Sequence, residues 1–380
     1  MNNENSLVKK PFIHISRRSD VSKKTTIIVR VVTILSALLM CGLVSTIVAP
    51  GSFLDFYIYI YEGTLFSFNT LLATVWNAGL LLLIAAAITP AFKMKFWNIG
   101  AEGQVLMGAL GAVIIMKFVA PSIPNALALL LMLVFSIVFS SIWAFIPSLF
   151  KALFNTNETL FTLMMNYIAI GIVASFSLRY KAPTSTALGI INQDTHQGWL
   201  PEIGGYKYII NIIVIIVLVV LVWGYLKFSK HGYEIAVLNG SERTAEYVGI
   251  NVKTVTMRTM ILCGVLCGIA GFLIVAGASH TVSDTVVGGR GFTAVMISWL
   301  GHFNPLEMAL YALLNEFIST GGRNAAGNLG YSVEVARVLS GLFFLAILTS
   351  EFFTNFRIKL DFSFLRKNKN TPTQNLEGGK

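Results

Sequence analysis

The sequence predicts an all-α, polytopic membrane protein of about ten transmembrane helices, some broken or re-entrant. Three observations carry that prediction. Hydrophobic residues make up 55% of the 380-residue chain and charged residues only 12%, where a soluble domain is nearer a quarter charged. Apolar runs long enough to cross a ~30 Å hydrocarbon core recur along its length. The lysines and arginines are sorted unevenly between alternate connections, as the positive-inside rule requires.

Taken in order, the runs fall near 27–49, 65–90, 98–118, 125–149, 159–178, 208–227, 257–278, 287–301, 304–320 and 333–350. The first follows a polar lead over 1–26 and exceeds the 7–15-residue core of a signal peptide, so it reads as a retained span. The eighth and ninth are short and carry glycine, the mark of re-entrant or broken helices. With both termini inside, 21 of the 28 Lys and Arg fall on the inner face. They are seven up to Arg30, then Lys93, Lys95 and Lys151, five from Lys227 to Arg258, and six from Arg357 onward. Six fall outside (Lys117, Arg179, Lys181, Lys207, Arg290 and Arg323), and Arg337 lies within the tenth span. The net charge of +10 thus belongs to tails and inner loops, which argues against nucleic acid as a partner. Cys41, Cys263 and Cys267 all lie in apolar runs without a histidine on their face, so they read as packing residues and not as a metal site.

The chain divides into an N-terminal tail (1–26), a transmembrane unit (27–350) and a C-terminal tail (351–380), both tails cytosolic. Two connections exceed simple turns. The outer one, 180–206, holds Asp194, His196, Trp199 and Glu202, a candidate docking surface. The inner one, 228–256, reads as a polar loop with one short helix over 241–249. Asn239 with Glu242 resembles a capping box, and Ser241 is a second possible cap. Ala245 and Val248 share one face, and Gly249 stops the helix. A faint repeat pairs "NIGAEGQVLMGALG" with "GGRGFTAVMISWLG", each followed by a proline and a span. Their separation by five spans would invert the second copy, as in many transporters.

Polar residues at membrane depth are candidates for function. Asn98 can cap the third span and place Glu102 in its first turn, where the helix dipole favours a negative charge. Gly100, Gly103, Gln104, Gly108 and Gly111 share a face suited to close packing, with Glu102 roughly opposite. Glu158 follows Asn155 by three residues, so "NTNE" is either a capping box or part of a gate. Asn166 is either interhelical glue or a residue facing a solute path. Glu334 and Arg337 can pair on one helix face, and Gly264 with Gly268 forms a packing GxxxG. No phosphate-binding loop, HExxH or GxSxG motif occurs, so any ATP-driven work needs another chain.

Four stretches together resemble a known family: "FWNIGAEGQVLMGALGA" (96–112), "NETLFTLMMNYIAIG" (157–171), "GSERTAEYVGINV" (240–252) and "GGRGFTAVMISWLGHFNPLEMALYALL" (288–314). They resemble the permeases of ABC importers for branched-chain amino acids and simple sugars, and among these the nucleoside branch. The resemblance covers about residues 60–350. It implies a permease in the bacterial cell membrane that binds no cofactor itself and is not an enzyme. A separate cytosolic ABC ATPase would use the ATP. A second permease subunit, identical or homologous, would complete the pathway, and an extracytoplasmic solute-binding lipoprotein would deliver a nucleoside. A sugar or branched-chain amino acid is the alternative solute. A secondary transporter working alone is the competing class. On this resemblance Asn98, Glu102, Gln104, Glu158 and Asn166 belong to the translocation pathway. Gly240, Glu242, Arg243, Ala245, Glu246 and Gly249 belong to the segment that couples to the ATPase.

Overall fold

A computed structural model describes residues 13–17, 23–48, 51, 53–182, 185 and 187–360. Thirteen helices follow in order among the described residues: α1 (Lys23–Val48), α2 (Phe53–Thr64), α3 (Phe68–Lys93), α4 (Ala101–Phe118), α5 (Asn125–Phe154), α6 (Glu158–Tyr180), α7 (Ile209–Phe228), α8 (Lys230–Gly240), α9 (Glu242–Tyr247), α10 (Val252–Ile274), α11 (Arg290–Leu300), α12 (Pro305–Leu329) and α13 (Val333–Asn355). Eight of them are long and apolar enough to cross a membrane. The all-α, multi-pass expectation holds.

One addition was not expected. Strands β1 (Ile13–Arg17) and β2 (Phe356–Leu360) pair antiparallel, Ile13 opposite Leu360 and Arg17 opposite Phe356. The chain therefore enters α1 and leaves α13 on the same side of the bundle. The rest of the expected tails (1–12, 18–22 and 361–380) lies outside the described residues.

Burial sorts the helices into two layers. In α10, 78% of the spanning window is buried, and α4 and α3 follow at 67% and 61%, whereas α5 and α7 are at 22%. Helices apolar on every side belong inside, and those presenting Leu, Ile and Val outward face lipid. The inner layer packs at backbone distance because its contacts are glycine. A Cβ at Gly108 would lie 2.8 Å from the Gly268 Cα, and one at Gly268 would lie 2.7 Å from the Ser136 carbonyl. Ser136 of α5 donates its hydroxyl to the Gly108 carbonyl and lies 3.0 Å from that of Gly268. Gly264 meets Ser141 and Ala144 of the same helix, so the GxxxG expected on the seventh span does pack against α5. The glycines expected on one face of α4 turn out to serve three partners: Gly103 meets α6, Gly108 meets α10, and Gly111 meets Phe135 of α5. A helix enclosed on all sides uses small residues in several directions.

Two crossings are part loop and part helix. α11 has 11 residues, about 16 Å, too short for the hydrocarbon core. It runs beside α3, with Arg290 at Asn77 and Ser298 at Thr89, and Phe303 of the turn that follows lies at Phe92. Residues 281–289, in which Val282 and Val287 are buried, lead into α11 without forming a helix. The third crossing likewise begins as a non-helical linker, 94–100, in which Met94, Phe96 and Asn98 are buried. α4 itself is continuous, so the interruption lies before the helix, not within it. α12 has the length to cross but carries Asn315, Glu316, Arg323 and Asn324, which lower its apolarity. The stretch expected as the second span, 65–90, is α3, whose N-cap Ser67 accepts from Thr70 N in a capping box, and α2 before it is a helix not expected from the sequence.

Candidate functional site

Two helix N-termini meet inside the bundle. Four N–H groups at the start of any helix lack intrahelical acceptors, and the dipole makes that end positive. At α11 the acceptor comes from another helix. Glu102 of α4, itself buried, accepts from Gly289 N at 2.8 Å through one carboxylate oxygen and from Gly291 N at 2.7 Å through the other. Such charge-assisted bonds are about twice as strong as neutral ones. Only glycine permits the approach: a Cβ at Gly291 would collide with the Glu102 backbone, and Gly289 has φ +80°. Arg290, between these glycines, donates to the Asn77 side-chain oxygen of α3 at 2.9 Å.

The start of α4 is held just as closely. Asn166 of α6 accepts from Gly103 N at 2.8 Å and donates to the Ile99 carbonyl at 2.9 Å. Thr162, one turn earlier, accepts from Ile99 N. The Asn98 side-chain oxygen accepts from Gly100 N and from the Gln104 amide. The helix is therefore capped at Gly100, not by Asn98; Asn98 instead braces the turn before it. The Asn98 amide nitrogen and the Gln104 carbonyl oxygen are buried without partners among the described residues.

Four of the residues singled out from the sequence (Asn98, Glu102, Gln104 and Asn166) thus converge on one buried junction. Glu158 does not. It sits at the first turn of α6 and pairs with Lys151 at 3.0 Å. The cap of α6 is Asn157, which accepts from Leu160 N, whereas Asn155 ends α5 in the left-handed conformation. The "NTNE" capping box is therefore absent. Sequence reasoning missed Asn77, Thr162, Gly289, Arg290 and Gly291. The glycines stood in the second copy of the faint repeat, and the structure shows the two copies touching each other.

The inner connection carries two helices where one was expected. α8 takes up 230–240, with Asn239 inside the helix and unavailable as a cap. Ser241 caps α9, accepting from Thr244 N, and Gly249 has φ +82°. Ala245 is wholly buried, while Glu242, Arg243 and Glu246 are exposed and Tyr247 is 93% exposed. Gly240 is the exposed last residue of α8, and Val248 is exposed as well, so the apolar side of α9 is Ala245 alone. Ile235, Leu238 and Ala245 form one apolar cluster with Met94 and Phe96 of the linker and with Val255, Met260 and Cys263 of α10. His231 of α8 bridges the Tyr225 hydroxyl at 2.9 Å and the Thr259 hydroxyl at 3.1 Å, tying α7, α8 and α10 together. Burial lowers its pKa from the usual histidine value, which favours the neutral ring.

At the other end of the bundle, the long outer connection lies down as a lid. Ile191 N donates to the His280 carbonyl and Leu200 N to that of Ala276. Trp199 is stacked between His196 and His280, at ring-centre distances of 4.4 and 3.6 Å. Asp194 and Glu202 remain exposed on its surface.

Residues 70–348 match the family described as branched-chain amino acid transport system / permease component. The chain belongs to this permease family. Similar relatives of the permease are the glucose ABC transporter permease protein of Haloferax volcanii, the guanosine ABC transporter permease protein of Bacillus subtilis and the nucleoside ABC transporter permease protein of Lactococcus lactis. The first is 26% identical over 87% of this chain and 90% of its own length. The second is 26% identical over 71% and 78%, and the third 27% over 72% and 78%.

Proposed function

We propose that this permease is the pathway-forming subunit of an ATP-binding-cassette importer for nucleosides, in a bacterial cell membrane with both termini cytosolic. The carrying observation is the apolar cluster that joins α8 and α9 to the 94–100 linker. A force on α9 moves Ala245 against Met94 and Phe96, the linker moves the start of α4, and Glu102 passes the displacement to α11. Gly240, Glu242, Arg243, Ala245, Glu246 and Gly249 shape the contact for a separate ABC ATPase, which supplies the ATP hydrolysis, and Tyr247 forms its tip. Asn98, Glu102, Gln104 and Asn166 frame the pathway by holding the junction, and Glu158 anchors the inner end of α6. A second permease subunit completes the pathway. A solute-binding lipoprotein docks at the outer lid, where Asp194 and Glu202 are exposed.

Two of the three relatives above carry guanosine or nucleoside in their names, which supports a nucleoside as the solute. A simple sugar is the second reading, favoured by the relative named for glucose, whose match covers 87% of this chain. Uptake of radiolabelled guanosine, adenosine, glucose and leucine by cells expressing the complete importer separates them. Saturable guanosine or adenosine uptake is the expected result. Glucose uptake without nucleoside uptake replaces the solute, and uptake that persists without any copurifying ATPase overturns the importer.

A further inference from the structure

Trp223, near the end of α7, separates two hollows at the end of the bundle that carries α8 and α9. On one side, α3, α7 and the α11–α12 turn enclose about 190 Å³ lined by Thr89, Lys93, Trp223, Lys227 and Phe303. On the other, α7 and α10 bound a wide apolar groove of about 710 Å³, lined by Leu218, Leu221, Trp223, Phe228 and Leu266. Lys93, the last residue of α3, is half-buried. Lys227 lies 4.9 Å from the Trp223 ring centre and 5.4 Å from that of Phe228. Neither lysine has a carboxylate within ion-pair distance among the described residues. The carbonyl ends of α3 and α7 attract each cation separately, and an anion entering the cleft would meet both.

The groove identifies that anion. From Phe228 to Leu218 is ten residues of helix, about 15 Å, or half of a ~30 Å hydrocarbon core. An apolar trough one leaflet long, with Lys227 at the Trp223 and Phe228 rings of its end and Lys93 in the hollow across Trp223, has the dimensions and polarity of a phospholipid. We propose that this end of α7 binds one anionic phospholipid, its phosphate between Lys93 and Lys227 and an acyl chain in the α7–α10 groove. The bound lipid braces the helix end from which α8 hangs through the Tyr225–His231 contact. The proposal needs only that the chain spans a membrane, so its failure leaves the importer reading untouched.

Native mass spectrometry of the full-length chain, from bilayer discs of equal phosphatidylglycerol and phosphatidylcholine with matched chains, tests it. The wild type is expected to retain one phosphatidylglycerol. Lys93→Gln with Lys227→Gln should cut the preference about thirtyfold, roughly fivefold per cation at a membrane surface, whereas Arg at both positions should keep it. Leu221→Trp fills the groove while leaving both lysines, and it should lose the lipid even if the Gln pair fails to fold. Equal retention of the two lipids overturns the proposal, and so does unchanged preference in the Gln pair. Release of the lipid by millimolar glycerol phosphate would mean a free-anion site, and a lipid-free dimer shielding Leu221 from solvent-borne labels would mean a second copy in the groove. Either result overturns it too.

Discussion

Glu102→Gln keeps the shape of the side chain and removes its charge. The native carboxylate offers an acceptor to each of two buried N–H groups, at 2.8 and 2.7 Å. A glutamine keeps one of these bonds, and its amide nitrogen then points a donor at the other donor. An unpaired buried backbone N–H costs about 1–3 kcal/mol, and the lost charge–dipole attraction at a helix N-terminus adds about 0.5–1 kcal/mol. Burying a neutral amide instead of a carboxylate returns part of this. A net loss of about 2 kcal/mol follows, which lowers the melting temperature by about 3 °C in a chain of this size. Cys41, Cys263 and Cys267 are buried free thiols, so a thiol-reactive fluorophore reads unfolding directly from the purified protein. Solute uptake should fall while membrane protein level and ATPase assembly stay normal, because α11 is then held to the Glu102 position by one bond instead of two. An unchanged melting temperature together with normal uptake would refute the reasoning from the junction. A collapse in protein level would mean that Glu102 serves folding alone.

The remaining expectations concern coupling, topology and the lid. Ala245→Arg forces a cation into the cluster with Met94 and Phe96, so ATPase docking and stimulated hydrolysis should both be lost. Tyr247→Ala removes only exposed surface and should weaken ATPase stimulation at normal melting temperature, and full stimulation in liposomes would remove α9 from the contact. Cysteines at Ser185 and Ser241 in a cysteine-free version should label from opposite sides of intact cells, and labelling of both from outside would defeat the assigned orientation. Burial first, then Lys207, hold the His280 pKa at about 4, down from 6.5. Its folded pKa is depressed, so the stability it contributes is full above pH 6.5 and is lost as pH falls toward 4. Protease sensitivity of the lid should therefore rise across that window. His280→Asn, which tolerates the left-handed backbone at this position, should flatten the dependence. A wild-type lid equally resistant at pH 7 and pH 4.5 would contradict this.

The sequence by itself determined the class of the protein and most of its helices. Membrane solvent leaves the backbone no partner but itself, so runs of apolar residues such as 125–149 and 208–227 reveal α5 and α7 without knowledge of their neighbours. Local chemistry was equally legible where it acts within a few residues, as in the Ser241 cap and the Gly249 stop of α9. Asn98, Glu102, Gln104 and Asn166 stood out because polar groups at membrane depth need partners. The identity of those partners was not legible. Glu102 meets Gly289 and Gly291 across 187 and 189 residues, and nothing in a short window distinguishes a carboxylate that caps its own helix from one that caps another. The "NTNE" box failed for a related reason. Ending α5 in a left-handed Asn155 and pairing Lys151 with Glu158 fixed the α5–α6 turn, which left Asn157 to cap. α8 was missed because His231, Ile235 and Leu238 are too few to mark a buried face until α10 and the 94–100 linker are packed against it. Only the tertiary structure decided which polar residues frame the junction, because hydrogen bonds and glycine contacts at that depth depend on which helix ends meet in space.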